Sequence, residues 1–450
     1  MHRDPLLKRI TDIKSIKAFV LPLLLSVLIV TCVSIYFGIS PQAALKQTAR
    51  VIGSSVSSKI NASELSEALQ LEKNYQLGKF DRDVIHPEVS WRELASKENH
   101  LVFGSYSGPT RTYLEVPFIF EEYNVKHIKA LRERYQIEEL ASGERTEYEA
   151  MLKVASWVGN LWDHGIDTPL NGPQNFKAID AIESAKNGAR YWCEISARSM
   201  SQVATALGWP SRVITLSRSG YEWQHAVTEV WSNQFTKWFV IDTDFNVIYE
   251  SNGIPLSAFE LVHEGKMLQR LGRLAIKNFT PLKPFFVRRG GKMREMQALE
   301  QLRFYNYAHM DMRNDWASRK LSRGSPVGGD RATYFTSNAK ISPILNAFRR
   351  ASTKRDFDWP VNLVEIHLVG LKVDDSKVVL EIDAKAYGPY ANYIQIRIDR
   401  GTWQNTDPGL SSYQLTDGIH SLEARLALIN DTVGPTTNVT FSTRLEPQSI

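Results

Sequence analysis

The spacing of apolar positions changes several times along the chain, and each change predicts a different element. Residues 18–39 form an apolar run without a charge, long enough for a helix that crosses a bilayer core. Between 144 and 162, apolar residues recur at three- and four-residue intervals, which predicts an amphipathic helix. The same spacing returns over 193–207, and Gly208 followed by Pro210 predicts where that helix ends.

Alternation of apolar and polar residues predicts strands in two parts of the chain. Residues 212–217, 224–231 and 237–242 alternate, and the last two segments predict a hairpin around a four-residue loop. From 359 to 450, short alternating segments are separated by Asp-Gly and Asp-Pro turns. Even spacing of this kind predicts an antiparallel β-sandwich, and the run LTDGIHSLEARL resembles an immunoglobulin-like module.

Basic residues flank the first apolar run asymmetrically. Five precede it, and only Lys46 and Arg50 follow closely after it. The positive-inside bias therefore predicts a cytoplasmic N-terminus, with everything after residue 40 periplasmic or extracellular. The run is longer than the apolar core of a typical signal peptide, and no clear small-x-small cleavage site follows it. An uncleaved, single-pass signal anchor is predicted.

Charge is distributed unevenly, although the net charge of the 450 residues is only +5. Residues 264–355 contain 20 Lys and Arg against 6 Asp and Glu, which gives +14. Such a segment beside a membrane would attract anionic lipid or acidic polysaccharide; a solvated charged face is the alternative. No interleaving of basic and aromatic residues indicates nucleic acid. The histidines show no metal-ligand spacing, so the sequence predicts neither a metal nor a cofactor.

Three residues in the middle of the chain form a candidate catalytic set: Cys193, His225 and Asp242. A cysteine in the first turn of a helix meets unpaired backbone N–H groups and the positive end of the helix dipole, which favour a thiolate. The same N–H groups can hold a developing oxyanion. A histidine activates the thiol, and a carboxylate fixes the tautomer of the histidine.

The hairpin register predicts which carboxylate meets the histidine. If Trp231 pairs with Thr236, then His225 lies directly opposite Asp242, close enough for the carboxylate to reach the ring. A slip of one residue would turn the two side chains to opposite faces of the sheet. Asp244 is then the alternative partner.

Several motifs, in order, resemble the transglutaminase-like superfamily. They are WCEIS around Cys193, LGWPSR at 207–212, HAVTEV at 225–230 and KWFVID at 237–242. The resemblance covers roughly residues 140–250, about a quarter of the chain. Two positions depart from the family pattern: the usually small residue two before the cysteine is Tyr191, and the usual Trp two after the histidine is Val227. Neither change removes a catalytic group, and Trp192 is a candidate for completing the oxyanion site.

The resemblance implies an α+β fold with a papain-like core, in which a helix packs on an antiparallel sheet. It also implies Cys193 as nucleophile, His225 as base and Asp242 as the residue that orients the base. The predicted organisation is a cytoplasmic N-terminus at 1–17, a transmembrane anchor at 18–39, a membrane-proximal region at 40–115, a transglutaminase-like domain at 116–263, a basic extension at 264–358 and an immunoglobulin-like sandwich at 359–450.

Two functions fit these expectations. The first is an outward-facing thiol acyltransferase, protease or amidase that acts on peptide or protein amides through a thioester on Cys193. Water is its default acceptor, because no amine site is visible in the sequence. The second is a catalytically inactive protein that binds or organises cell-envelope polymers such as polysaccharide, since most of the exported chain lies outside the catalytic core.

Overall fold

The computed structural model describes residues 86–445 apart from 113, 115–116, 170–175, 280–285, 290–291, 296–297, 319–331, 338–348, 352 and 375. The helices are α1 Pro87–Ala95, α2 Lys126–Tyr135, α3 Ile137–Ala141, α4 Glu147–Gly159, α5 Ala178–Lys186, α6 Cys193–Ala206, α7 Ala258–Arg270 and α8 Lys354–Phe357, with a 3₁₀ helix at Ala298–Phe304. The first strands are β1 Leu101–Ser107, β2 Ser211–Ser217, β3 His225–Ser232, β4 Lys237–Ile241, β5 Val247–Ser251, β6 Ile254–Pro255, β7 Ala275–Asn278, β8 Phe286–Arg289, β9 Lys292–Glu295, β10 Tyr307–Asp311, β11 Ala332–Phe335 and β12 Arg349–Arg350. The remaining strands are β13 Leu363–Asp374, β14 Lys377–Tyr387, β15 Ala391–Ile398, β16 Gln404–Thr406, β17 Gly409–Leu415, β18 Gly418–Leu428 and β19 Thr437–Thr443.

A central sheet with strand order β12-β11-β10-β2-β3-β4 carries helix α6 on one face. Every residue of α6 from Ile195 to Ala206 is buried, and its apolar side chains share a core with Val230 and Phe239 of the sheet. Thr228 on β3 donates a hydrogen bond of 2.7 Å to the carbonyl of Ala197. This packing fixes the start of the helix beside the start of β3, as expected for a helix on an antiparallel sheet.

The β3–β4 hairpin has a different register from the one that the sequence predicts. Trp231 pairs with Trp238 and Ser232 with Lys237, so the hairpin is displaced by two residues and His225 is not directly opposite Asp242. An edge-to-face contact between the rings of Trp231 and Trp238, with centroids 5.6 Å apart, accompanies the observed register. A displacement of two residues preserves the face on which each side chain lies. His225 and Asp242 therefore remain diagonal neighbours on one face.

Helix α6 ends just before a glycine, as the sequence predicts. Gly208 has φ +69°, in the left-handed region, and a Cβ there would lie 3.2 Å from Cγ2 of Ile429. We expect Gly208→Ala to lower the free energy of unfolding by about 1–2 kcal/mol, because alanine is strained in this conformation and meets a close neighbour. Urea unfolding would measure it. The matched change Gly143→Ala (φ +82°, nothing within 4 Å) isolates the backbone contribution, and a larger loss there would contradict the role of Ile429.

Two antiparallel sheets at the C-terminal end share one hydrophobic core. Their strand orders are β13-β14-β17 and β1-β19-β18-β15-β16, and their facing side chains include Ile366, Leu380, Leu422 and Val439. The sequence predicts strands in most of these segments. It does not predict the contribution from residues before 115: β1 pairs with β19 at the sheet edge, and Trp91 of α1 is fully buried in the same core.

The segment predicted as a basic extension contributes to the central sheet. Strand β10 pairs antiparallel with β2, so the sheet continues beyond residue 263, where the core domain was predicted to end. Tyr307, Ala308 and Met310 of β10 are buried. The segment 264–355, which the sequence distinguishes by its positive charge, therefore also contains buried apolar residues of a central strand.

The predicted transmembrane span at 18–39 lies outside the described residues. Within residues 86–445, less the gaps given above, no helix is long and apolar enough to cross a membrane.

Candidate active site

Cys193 is the first residue of α6, and its position is fixed by the segment before it. Tyr191 is buried, packs edge-on against Trp162 with ring centroids 5.2 Å apart, and forms a parallel bridge with His164. Trp192 is the N-cap residue, and its side chain makes no capping hydrogen bond. The first N–H groups of a helix have no partner within the helix. Those of α6 are therefore not capped by the Trp192 side chain.

His225 and Asp242 form a buried hydrogen-bonded pair. Nε2 of His225 lies 2.7 Å from Oδ2 of Asp242, and the Phe245 N–H donates to Oδ1 of the same carboxylate at 3.1 Å. Aromatic rings enclose the imidazole: Phe245 lies edge-on with centroids 4.8 Å apart, and Phe304 lies at 5.9 Å. Both oxygens of Asp242 are thus engaged, and the ring plane of His225 is restricted from two sides.

The surroundings of this pair favour a protonated imidazole. Burial by itself lowers the pKa of His225, but the charge and hydrogen bond of Asp242, joined by the contact with Cys193, raise that pKa well above its usual value. Burial raises the pKa of Asp242, whereas the imidazolium and the Phe245 N–H oppose that rise. Because Nε2 faces Asp242, the other ring nitrogen, Nδ1, is the atom left for the thiol.

A second histidine–aspartate pair lies beside the first. Nδ1 of His164 is 3.0 and 3.1 Å from the two carboxylate oxygens of Asp244. The Asp244 side chain is only 4% exposed. One ligand atom each from Cys193, His225 and Asp244 lies within 4.8 Å of the others. Two carboxylates therefore lie at this site. Asp242 binds Nε2 of the imidazole, and Asp244 lies beside the thiol.

The thiol opens into a cleft of about 400 Å³. Its walls combine aromatic rings, two histidines and two carboxylates; the residues that line it are His164, Trp192, Cys193, Glu194, Thr215, Trp223, Gln224, His225, Ala226, Asp244, Phe245 and Phe304. Trp223 is 40% exposed, and its ring lies tilted against that of His309, with centroids 4.5 Å apart. Cys193, which is partly exposed, therefore lies in the wall of this cleft.

Sequence reasoning identifies Cys193, His225 and Asp242, and the structure brings these three residues together. It misses His164, which comes from the loop after α4, and Phe304, which comes from the basic segment. No local pattern marks either residue, because both reach the cleft through contacts between distant segments. Asp244 is anticipated only as a substitute for Asp242, whereas it makes its own pair with His164.

Comparison with known proteins agrees with this arrangement. The model of the transglutaminase-like superfamily matches residues 134–243, which include Cys193, His225 and Asp242. The match covers about a quarter of the 450 residues, so it defines a transglutaminase-like domain within the chain. No curated protein matches the chain at a significant level.

Proposed function

We propose that the chain is a cysteine-dependent enzyme that cleaves or transfers acyl groups at peptide or protein amides, with Cys193 as the nucleophile. The observation that carries the proposal is one connected arrangement. Cys193 begins a helix and contacts His225, and the second ring nitrogen of His225 is 2.7 Å from Asp242. Nucleophile, base and orienting carboxylate are thus in the order that thiol catalysis requires.

In the acylation step, His225 takes the thiol proton and Sγ bonds to the carbonyl carbon. The carbonyl oxygen becomes an oxyanion, which the first N–H groups of α6 can hold. His225 then returns the proton to the leaving nitrogen as the C–N bond breaks, and a thioester remains on Cys193. Water adds to the thioester while His225 takes its proton; the C–S bond breaks, and the carboxylic acid leaves.

Asp242 has a positioning role in this scheme. Its Oδ2 holds the Nε2–H of His225, so Nδ1 faces the thiol and is able to accept a proton. Phe245 and Phe304 cover the ring and exclude water from it. The same packing keeps the imidazole from rotating between the acylation and deacylation steps.

The location of the enzyme remains a proposal based on the charge pattern of the sequence. Residues 18–39 would anchor the chain with the catalytic domain outside the cytoplasm, and the basic residues of 264–355 would bind anionic lipid or acidic polysaccharide. Labelling of Cys193 in intact cells by a membrane-impermeant maleimide would test the orientation. Labelling that appears only after the cells are broken would exclude it.

The proposed chemistry predicts a specific pH dependence. An unassisted cysteine thiol ionises at about pH 8.5, so reactive thiolate near pH 6.5 requires a base that takes its proton. The raised pKa of His225 places that proton on the imidazole, and the imidazolium is lost only as the pH rises through this raised value. We expect p-nitrophenyl acetate to acylate the wild type at about pH 6.5 roughly 10²-fold faster than it acylates His225→Gln.

The measurement is release of p-nitrophenolate, with peptide mapping to separate acetyl-Cys193 from the second cysteine, Cys32. Cys193→Ala should abolish the first turnover. His420→Gln is a matched control, because His420 also pairs with an aspartate, Asp399, at 2.7 Å in the C-terminal sheets. An unchanged pH profile in His225→Gln would exclude His225 as the base.

A further inference from the structure

We propose that the cleft is also a metal site: Cys193, His225 and Asp244 bind a divalent transition metal ion of the zinc class, which reversibly blocks the nucleophile. The inhibitory part of this inference rests on the function proposed above, whereas the binding part does not. The proposal concerns Asp244, a residue that the acyl-transfer scheme leaves without a role.

The donor set fits zinc and its close relatives. The three ligand atoms lie within 4.8 Å of one another. In a tetrahedral site with metal–ligand distances of about 2.0–2.3 Å, ligand atoms are about 3.3–3.8 Å apart. Side-chain rotations that move the ligand atoms by about 1 Å would therefore complete the coordination. A thiolate and an imidazole select against magnesium and calcium, which take oxygen ligands.

The outer contacts are those that a metal site requires. A histidine ligand commonly donates its other ring N–H to a carboxylate, and Nε2 of His225 is held in this way by Asp242 at 2.7 Å. Asp244 is held in turn by His164, at 3.0 and 3.1 Å. Both oxygen- and nitrogen-donor side chains are thus oriented before a metal arrives. The cleft leaves the fourth position open to water.

Electrostatics give a reason for a cation at this position. The ionised thiol of Cys193 and the carboxylate of Asp244 would be two negative charges within 4.8 Å of each other, and like charges at this distance repel. Asp244 is almost buried, with a side chain 4% exposed, so water screens this repulsion poorly. A divalent ion between the two groups converts the repulsion into two attractive contacts.

Binding and catalysis exclude each other in this arrangement. The ion takes a lone pair of the Cys193 thiolate and the ring nitrogen of His225 that would otherwise accept the proton. Binding releases the thiol proton and any proton on that ring nitrogen to solvent, so charge and atoms balance. Neither group can act until a chelator or a competing ligand removes the metal.

Cobalt(II) is the probe that reports coordination without any substrate. The full-length protein, stripped of metal by a chelator, is titrated with cobalt and followed by absorption. We expect one equivalent to produce a thiolate-to-cobalt charge-transfer band and the visible bands of a tetrahedral ion, and zinc to displace it. Cys193→Ser should lose the charge-transfer band.

Two variants distinguish coordination from general charge in the cleft. Asp244→Asn removes a ligand. Loss of a residue that only holds a ligand in place typically weakens metal binding by about 10–100-fold, and Asp244→Asn should weaken cobalt binding by more than this. Glu194→Gln removes the same charge from the same cleft without removing a ligand, and it should weaken binding less than about fivefold. Circular dichroism of each variant checks that it is folded. Equal losses in the two variants, or no charge-transfer band in the wild type, would overturn the proposal.

Acylation by p-nitrophenyl acetate in the presence of zinc tests the inhibitory part separately. Zinc should slow acylation of Cys193 at the concentrations that displace cobalt, and a chelator should restore the rate. A protein that binds cobalt but is never acylated would retain the metal site and refute the proposed enzyme. A protein that is acylated but binds no cobalt would refute the metal site alone.

Discussion

Replacement of Asp242 by asparagine is expected to slow acylation of Cys193 by roughly 10³–10⁴-fold, with the fold retained. The Phe245 N–H donates to Oδ1 of Asp242 and needs an acceptor, so the amide oxygen of an asparagine would occupy that position. The amide NH₂ would then face Nε2 of His225. The ring would have to carry its proton on Nδ1, toward the thiol, and could no longer accept the thiol proton.

The measurement for Asp242→Asn is the first-turnover release of p-nitrophenolate near neutral pH, compared with the wild type. Asp399→Asn provides the matched control, because it changes the same kind of histidine–aspartate pair, also 2.7 Å long, in the C-terminal sheets. That control should acylate at the wild-type rate. A loss below about tenfold in Asp242→Asn would show that the tautomer of His225 is not fixed by Asp242.

Loss of Arg212 is expected to have the largest effect on stability. Arg212 is fully buried, and its guanidinium donates to Glu229 at 2.7 Å and to Asp358 at 2.8 Å. The same group lies over the rings of Trp238 and Trp359, at 4.3 and 4.7 Å from their centroids. One cation therefore balances two buried carboxylates and ties strand β2 to the segment after α8.

Arg212→Met should lower the free energy of unfolding by about 3–5 kcal/mol near pH 7.5, because it leaves two carboxylates buried without a cation. In the wild type, burial and the charge of Asp358 raise the pKa of Glu229 to about 7, against the lowering effect of Arg212. Without Arg212 this folded-state pKa rises further above its unfolded value of about 4.3. A raised folded pKa gives stability that is present below the unfolded pKa and lost as the pH rises through the folded one.

The deficit of Arg212→Met should therefore be smallest near pH 5 and should grow above pH 7. Urea unfolding followed by tryptophan fluorescence at both pH values would measure it. Further substitution of Glu229 by Gln and Asp358 by Asn should recover part of the loss, since no buried charge then remains. Arg397→Met is the control: its bond to Glu423, at 2.6 Å, is partly exposed and should contribute less than about 1 kcal/mol. A loss that does not change with pH would contradict this account.

The hairpin shows how far local pattern determines the site. Alternation places His225 and Asp242 on one face of neighbouring strands, and this survives the register error because a two-residue displacement preserves side-chain direction. The register itself depends on packing of Trp231 against Trp238 within the core. Periodicity predicts the face of the sheet on which a side chain lies, but not the residue that it faces on the neighbouring strand.

The sequence by itself determined the elements that present the chemistry. A helix that begins at Cys193 and ends just before Gly208, followed by alternating strands with a histidine and an aspartate, follows from local spacing and backbone preference. The residues that mark each helix end and each strand lie within a few positions of one another, so a short segment of the sequence is enough to recognise each element. The resemblance to the transglutaminase-like superfamily rests on these same local motifs.

Only the tertiary structure decided which distant residues complete the molecule. His164 and Phe304 join the cleft, β10 joins the central sheet, and β1 pairs with β19 at the opposite end of the described chain. These contacts form because apolar faces are buried and unpaired strand edges gain partners. Many segments of one sequence could meet either need, so the sequence alone does not identify the partner. The placement of Asp244 beside Cys193 belongs to the same class, since it depends on His164 and on the packing of three separate segments.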